Sequence, residues 1–413
     1  MEIKINTKLQ SPDSYEFEVV ERKGLGHPDT LADGIAEAVE IAYCKYCLEK
    51  YGYIPHHNFD KIIIQGGLFK QEYAAKEFVK PITVVFMGRA SKKAEGKEIP
   101  LERIQVNAAK SYLKRVLPKL DVDSTSQIIY ISKTTDYSRR ENWFSPRNIS
   151  DLPEYSESGP FANDTATMIS YWPLTKAEMI ALEIEGFFYS LNDKGLPYPR
   201  LDMFGQDVKV MVIRQDKEYV VTVAVPVFNF MISDFNEYQK HILKVESEIK
   251  KYINIKYPNE KIEIRLNGSQ LKSKSSHPYL VTTGSCIDFG EEGAVGRGNK
   301  THGIISSFRP NTMEAPHGKN ATYFVGKVLG YLVDIISKNI YDETGIPCQV
   351  IMRANIGDYL YNPSSIMVSL SREHDTKTIE DIVRKHLKVG SKTTLEILSS
   401  GHFIPNTSAY NEK

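Results

Sequence analysis

Thr30-Leu31-Ala32-Asp33-Gly34-Ile35-Ala36-Glu37-Ala38-Val39-Glu40-Ile41-Ala42 opens a stretch that reads as helix as far as Lys50. Leu31, Ile35, Ala38, Val39 and Ala42 fall on one face of it. Strands are expected next at Lys61–Gln65 and Ile82–Met87, then a helix at Leu101–Val116 and a strand at Gln127–Ile131. The same order returns. Thr175 with Glu178 three residues on reads as a capping box, and the helix it opens carries Met179, Ile180, Leu182, Ile184 and Phe187. Strands at Val208–Ile213 and Tyr219–Val227 follow, joined across the turn Gln215-Asp216-Lys217, then a helix near Glu237–Tyr252 and a strand at Lys261–Leu266. A third copy has a helix near Thr322–Ile340, strands at Cys348–Met352 and Ser365–Leu370, and a last helix from near Ile379. The first helices start near 30, 175 and 322, so the unit recurs about every 145 residues. Helix, strand, strand, helix, repeated three times, predicts an α/β (α+β type) protein with mixed or antiparallel sheets. The expected units are 17–135, 136–270 and 271–413. No Pro/Ser/Gly tract separates them, so they are expected to pack tightly, with interleaved segments and termini that cross over.

Composition removes several functional classes. The 413 residues carry 52 basic and 52 acidic side chains, so a generic polyanion coat, and with it a nucleic-acid partner, is not expected. No apolar run approaches a membrane span and Met1-Glu2-Ile3-Lys4 lacks a signal-peptide core. Four cysteines do not make a disulfide scaffold, and the cytoplasm is the expected compartment. Cys44-Lys45-Tyr46-Cys47 is a single C-x-x-C inside a helix and reads as packing. His56-His57 has no metal-ligand spacing to other histidines.

Four segments carry candidate chemistry. In Glu21-Arg22-Lys23-Gly24-Leu25-Gly26-His27-Pro28-Asp29-Thr30 a strand leads in and a helix leads out. Gly24 and Gly26 permit close backbone approach, and the helix N-terminus attracts anions. His27 and Asp29 suit a leaving phosphate and a magnesium ion, although Asp29 or Thr30 serves equally well as a helix cap. The glycine-rich run Gly290–Gly303 places Arg297 and Lys300 among Gly293, Gly296 and Gly298, a composition suited to cradling a polyphosphate or to a solvated turn. It is not a Walker A loop: Asn299 is inserted before Lys300, and Ile304-Ile305 reads as strand. Met313-Glu314-Ala315-Pro316-His317-Gly318-Lys319-Asn320 precedes a helix bearing Lys327, and Lys319, close to that helix's N-terminus, suits a phosphate or is an ordinary solvated lysine. Asp164, in Pro160–Thr165, suits an ammonium group or an ordinary turn.

Taken in order, these segments resemble the S-adenosylmethionine synthetases (methionine adenosyltransferases), in their archaeal-type branch. The resemblance rests on ERKGLGHPDT, the following DGIAEAV, HHN-x-DK at His56–Lys61, ANDT at Ala162–Thr165, GQDVKVM at Gly205–Met211, GAVGRGN at Gly293–Asn299 and RPNTMEAPHGKN at Arg309–Asn320. It implies three pseudo-threefold α/β repeats and a homodimer with active sites between subunits. It also implies attack of methionine sulfur on C5′ of ATP, followed by hydrolysis of the released triphosphate. Mg²⁺ (two ions) and K⁺ are the implied cofactors. By the resemblance His27 assists the leaving group, with Arg297, Lys300, Lys319 and Lys327 around the phosphates and Asp29 on Mg²⁺. Asp164 then faces the methionine ammonium, Ile356 packs on adenine, and Glu291 and Glu292 stand where the family has aspartates near the product.

The departures gather at the acceptor side. Leu68-Phe69 follows Gly66-Gly67 where the archaeal branch has Arg or His, and Lys70–Ala75 replaces its glycine-rich gate. Its G-x-G-S loop is missing near Thr134–Tyr137, Ala166 ends ANDTA in place of ANDTS, and His317 is added beside Lys319. These changes leave three readings: methionine as acceptor, a paralogue adenosylating another thioether or nucleophile, and a nucleotide-binding partner subunit without catalysis.

Overall fold

The computed structural model describes residues 2–407 apart from 71, 194, 269–276, 389 and 391; the expected boundary at 270–271 and part of the 70–75 segment lie outside these. In chain order the strands of the three large sheets are β1 (Glu2–Asn6), β2 (Phe17–Lys23), β3 (His57–Gln65), β4 (Ile82–Ala90), β5 (Ile128–Ser132), β6 (Ala166–Trp172), β7 (Lys209–Gln215), β8 (Glu218–Ala224), β9 (Lys261–Leu266), β10 (Gly293–Ala294), β11 (Ile305–Ser306), β12 (Cys348–Ala354) and β13 (Ser365–Leu370). The helices are α1 (Pro28–Tyr51), α2 (Leu101–Val116), α3 (Lys176–Gly186), α4 (Phe235–Lys256), α5 (Val325–Thr344), α6 (Thr376–Leu387) and α7 (Lys392–Ser400).

The first sheet runs β10-β3-β4-β5, the second β9-β8-β7-β2-β11, the third β1-β13-β12-β6. The repeat is visible in the pairing. In each sheet an antiparallel pair (β3 with β4, β7 with β8, β12 with β13) takes one further strand in parallel: β5 on β4, β9 on β8, β1 on β13. On its other side each pair takes an antiparallel strand from elsewhere in the chain: β10 on β3, β2 on β7, β6 on β12. Each sheet is therefore mixed, and strands cross between the units. In the third sheet the place of β5 and β9 is taken by β1, which comes from the other end of the chain.

Local chemistry explains most of the boundaries. Thr175 caps α3 and Glu178 reaches back to the Thr175 N–H, a complete capping box. The β7–β8 hairpin turns through Asp216, whose φ of 52° is the left-handed conformation that Asp tolerates. β8 stops at Ala224, short of the expected Val227, as Pro226 has no N–H to donate. Val227–Phe228 pairs in parallel with Leu280–Val281 instead. α5 begins at Val325 rather than Thr322, since Asn320 Oδ1 accepts from both the Thr322 N–H and hydroxyl and holds a turn there. α1 ends on Gly52 in the left-handed conformation.

The inner faces of the first two sheets, with α1 to α4, form one continuous apolar core; the third sheet, α5 and α6 form another. α1 sits at the junction, and its first half is buried nearly all round. Among the described residues no helix is long and apolar enough to cross a membrane.

Candidate active site

The head of α1 organises the site. His27 is its N-cap: Nδ1 accepts the Asp29 N–H at 3.2 Å, and Pro28 occupies the first turn, where an N–H is not needed. The cap is thus His27, neither Asp29 nor Thr30; the Thr30 hydroxyl donates back to Lys23 O at 3.2 Å. Because Nδ1 accepts, the neutral imidazole carries its proton on Nε2 and presents a donor. Burial lowers the His27 pKa, outweighing the pull of Asp207 and Asp29, so the neutral form prevails near pH 7. Gly26 admits no side chain, since a Cβ there would meet the Gln206 backbone, and its N–H donates to Gln206 O at 2.9 Å.

The glycine-rich loop lies against this head. Asp29 Oδ2 pairs with Lys23 Nζ at 2.9 Å and Oδ1 accepts the Ala294 N–H at 3.1 Å. Lys23 Nζ also donates to Arg297 O at 2.7 Å. Asn299 closes both backbone groups of Lys23, at 3.0 and 2.7 Å. Gly296 holds φ at 87°, which favours glycine, and its N–H donates to Asp33 Oδ1 at 2.8 Å. Gly298 packs against Asp33 Oδ2. The Arg297 and Lys300 side chains are exposed, and Lys300 Nζ folds back on Gly296 O at 2.9 Å.

A second loop meets the first through α1. His317 Nδ1 lies 3.3 Å from Asp33 Oδ1, on the residue that holds Gly296. Lys319 is nearly buried, with Nζ 2.6 Å from Glu314 Oε2 beside Gly326 at the start of α5. Asn163 Oδ1 accepts the Val325 N–H at 2.9 Å, which brings the ANDT turn to the same place. Asp164 is exposed and accepts the adjacent Thr165 N–H at 2.7 Å. Thr165 Oγ1 accepts the Ile356 N–H at 3.0 Å, so Asp164 and Ile356 stand together; Ile356 is 69% exposed.

Lys327 stands apart. It is fully buried, its ammonium paired with Glu37 and lying over the Phe403 ring, so it faces the core and not the cradle. Glu291 and Glu292 are exposed, on the far side of the glycine loop beside Gly66. There Leu68–Phe69 pairs with Phe78–Lys80 in a small hairpin, and Leu68 bridges to Phe289. Asn229 Nδ2 donates to Lys70 O and Glu72 O, both at 3.1 Å, and Asn229 O accepts the Ala74 N–H at 2.8 Å.

Lys23, Asp33 and Asp207 belong to the site and were not singled out from sequence. Asp207 accepts the Tyr279 hydroxyl at 2.8 Å and the Cys286 N–H at 3.0 Å, and its charge reaches His27. Lys23 stood in the ERKG run, and Asp33 lies one helical turn beyond Asp29 on the same face, the signal that would have found it. Hard carboxylate oxygens at the site suit Mg²⁺. Glu40, Cys44 and His57 also bring three ligand atoms within 4.8 Å of one another, all buried.

Comparison with known proteins identifies the family. The profile of the S-adenosylmethionine synthetase (AdoMet synthetase) family matches residues 1–400. The chain belongs to that family. It is 34% identical over 382 residues to the S-adenosylmethionine synthase of Methanocaldococcus jannaschii, covering 91% of this chain and 90% of that one. To the S-adenosylmethionine synthase of Methanococcus vannielii it is 31% identical, with 92% of each chain covered. An uncharacterized protein of Streptococcus pyogenes is 53% identical over 411 residues, the full length of both chains. Among solved structures, an unusual S-adenosylmethionine synthetase from Campylobacter jejuni superposes with a TM-score of 0.56 at 15% identity, covering 92% of this chain and 88% of that one, and shares the fold. The chain is a divergent, archaeal-type member of the family.

Proposed function

We propose that the protein transfers the adenosyl group of ATP to the sulfur of methionine and then hydrolyses the released triphosphate to pyrophosphate and phosphate. One observation carries this reading: a neutral His27 donor and Asp29 at the head of α1 meet, through Asp33, both the Arg297 loop and the Lys319 loop. A thioether sulfur is already nucleophilic, so the first step needs no general base. The barrier lies in charge developing on the departing triphosphate, and fixed donors aimed at that charge lower it. His27 Nε2–H, Arg297, Lys300 and Lys319 supply them. Glycines at 26, 296 and 298 let the backbone approach. Mg²⁺, when bound, neutralises phosphate charge, and Asp29 is the carboxylate placed to hold it; K⁺ is a further expected cation. Lys327 supports the site from beneath. Asp164 is assigned to the methionine ammonium, Ile356 to adenine, and Glu291 and Glu292 to the product side.

A homodimer is supported by the outer face of the first sheet, where Ile63 on β3 and Ile129 and Ile131 on β5, on either side of β4, are 36–37% exposed. Free thiols at all four cysteines agree with a cytoplasmic setting. The units 17–135, 136–270 and 271–413 stand as the proposed division, with β1, β2, β6, β10 and β11 as the exchanged strands.

A second reading is favoured by the Leu68–Lys80 hairpin. Leu68 and Phe289 form an apolar lip, and Asn229 ties the segment down, where related enzymes place a polar residue and a glycine-rich gate. An acceptor other than methionine fits that lip. Mass spectrometry of purified protein with ATP, Mg²⁺ and K⁺, with and without methionine, separates the two. S-adenosylmethionine formed only with methionine, at ordinary turnover, supports the first. Tripolyphosphate cleavage without that product overturns it and calls for a panel of other thioethers.

A further inference from the structure

α1 carries four acidic residues on one face, Asp29, Asp33, Glu37 and Glu40, and all four are buried. Their spacing of four, four and three residues is one helical stripe. Each accepts a backbone N–H from one of the two cation-bearing loops. Asp29 takes Ala294 at 3.1 Å and Asp33 takes Gly296 at 2.8 Å. Glu37 takes Gly318 at 3.1 Å and Glu40 takes Ala321 at 3.2 Å. The two upper bonds flank the approach to Arg297; the two lower ones bracket Lys319.

A stripe of buried carboxylates is costly unless it is paired and hydrogen-bonded. Here the loops supply the amides, and Lys327 supplies one buried cation against Glu37 and Glu40. Burial raises the Glu37 pKa. For Glu40 burial acts the same way, but Lys327 and His57 outweigh it and lower the pKa. The Lys319 loop has further anchors: Gly318 O accepts the Phe59 N–H at 2.7 Å, Asn320 meets His57 at 3.2 Å, and the Thr394 hydroxyl donates to Ala321 O at 2.9 Å. Among the described residues, neither the Arg297 nor the Lys319 side chain donates to a carboxylate of the stripe, and Lys319 pairs with Glu314 instead. The stripe fixes backbone, and so aims the side chains.

We infer that Asp33, Glu37 and Glu40 are positioning residues that hold the Arg297 and Lys319 loops in register for a polyphosphate, with Lys327 as the counter-charge beneath. This rests on the reading of Arg297 and Lys319 as phosphate contacts. The probe is inorganic tripolyphosphate with Mg²⁺, titrated calorimetrically into the full-length protein, with kcat and KM for ATP measured alongside. Asp33→Ala is expected to weaken tripolyphosphate binding about tenfold and to lower kcat more than it raises KM. Asp33→Asn, which keeps an oxygen acceptor for Gly296, is expected to recover binding to within about threefold. In the Arg297→Met background Asp33→Ala is expected to add almost nothing, because the group it aims has gone. Wild-type binding in Asp33→Ala, or the same loss in both backgrounds, overturns the positioning role. Wild-type binding in Arg297→Met instead overturns the assignment of Arg297. The inference then stands or falls on the parallel comparison of Glu37→Ala with and without Lys319→Met. If Asp33→Ala fails to fold, the Glu37→Ala pair decides in the same way.

Discussion

Asp33 and Gly298 share one space: a Cβ on Gly298 would fall well inside the contact distance of Asp33 Oδ2, on a carboxylate that already holds the Gly296 N–H and faces His317. Gly298→Ala must therefore push Asp33 or lift the loop, an overpacking cost of about 1–3 kcal/mol. The expected outcome is at least a tenfold fall in kcat/KM for ATP with a lowered urea midpoint. Unchanged kinetics in a folded Gly298→Ala protein would show that the loop is free of α1.

His27 titrates below the ordinary imidazole range because it is buried. A lowered pKa means that the neutral form, with Nε2–H as donor, persists to more acidic pH. The acidic limb of kcat/KM for ATP is expected below about pH 6.5 and absent in His27→Asn. That variant should lose roughly 10²- to 10³-fold in kcat, the size of one lost oxyanion donor. A limb above the ordinary imidazole value would contradict the assignment.

Asp334 accepts from Ser170 at 2.9 Å and lies 3.4 Å from His302 and 3.1 Å from His402. Burial pushes its carboxyl up, but the two imidazoles outweigh that and hold it at about 2, below its ordinary 3.8. A depressed carboxyl stabilises the fold above its unfolded pKa, and that stability is lost as pH falls through about 2. Asp334→Asn is expected to cost about 2 kcal/mol at pH 7. The gap to the native protein should close between about pH 4 and pH 2, followed by urea midpoints. A gap that stays constant over that range would rule the ion pairs out as its source.

Thr175 does two jobs, capping α3 through Glu178 and donating its hydroxyl to buried Glu18 Oε1 at 2.6 Å. Thr175→Ala is expected to cost about 1–2 kcal/mol, and Thr175→Ser to recover most of it. Thermal melts read both, and equal losses in the two variants would mean that the methyl group matters and the hydroxyl does not.

The fold was legible wherever an element carries its own signal. α2, β9 and β13 fall at the expected residues, and the Thr175–Glu178 box marks α3. β1 was not found, because a five-residue strand that pairs across the whole chain has no local mark of its partner. α7, nine residues long and ended by Gly401, was not picked out from the sequence. In the site, the loops around Arg297 and Lys319 stood out by their glycines and charges. The stripe beneath them did not, because Asp33, Glu37 and Glu40 look like the solvated face of an amphipathic helix until the loops cover them. Lys327 misled for the same reason: a helical lysine near a phosphate loop gives no sign in sequence of the Glu37 that turns it inward.

The parallel pairing of β1 with β13 also bears on the order in which the chain is made. Residues 2–6 leave the ribosome some 360 residues before Ser365–Leu370, their partners. Until β13 emerges β1 is an unmatched strand, as β2 is until β7 emerges. The third sheet can close only after the last of its strands, β13, is released, so its completion comes late in synthesis. A nascent chain halted before β13 would hold a nearly finished first unit and a loose leading segment, open to chaperones or to the wrong edge.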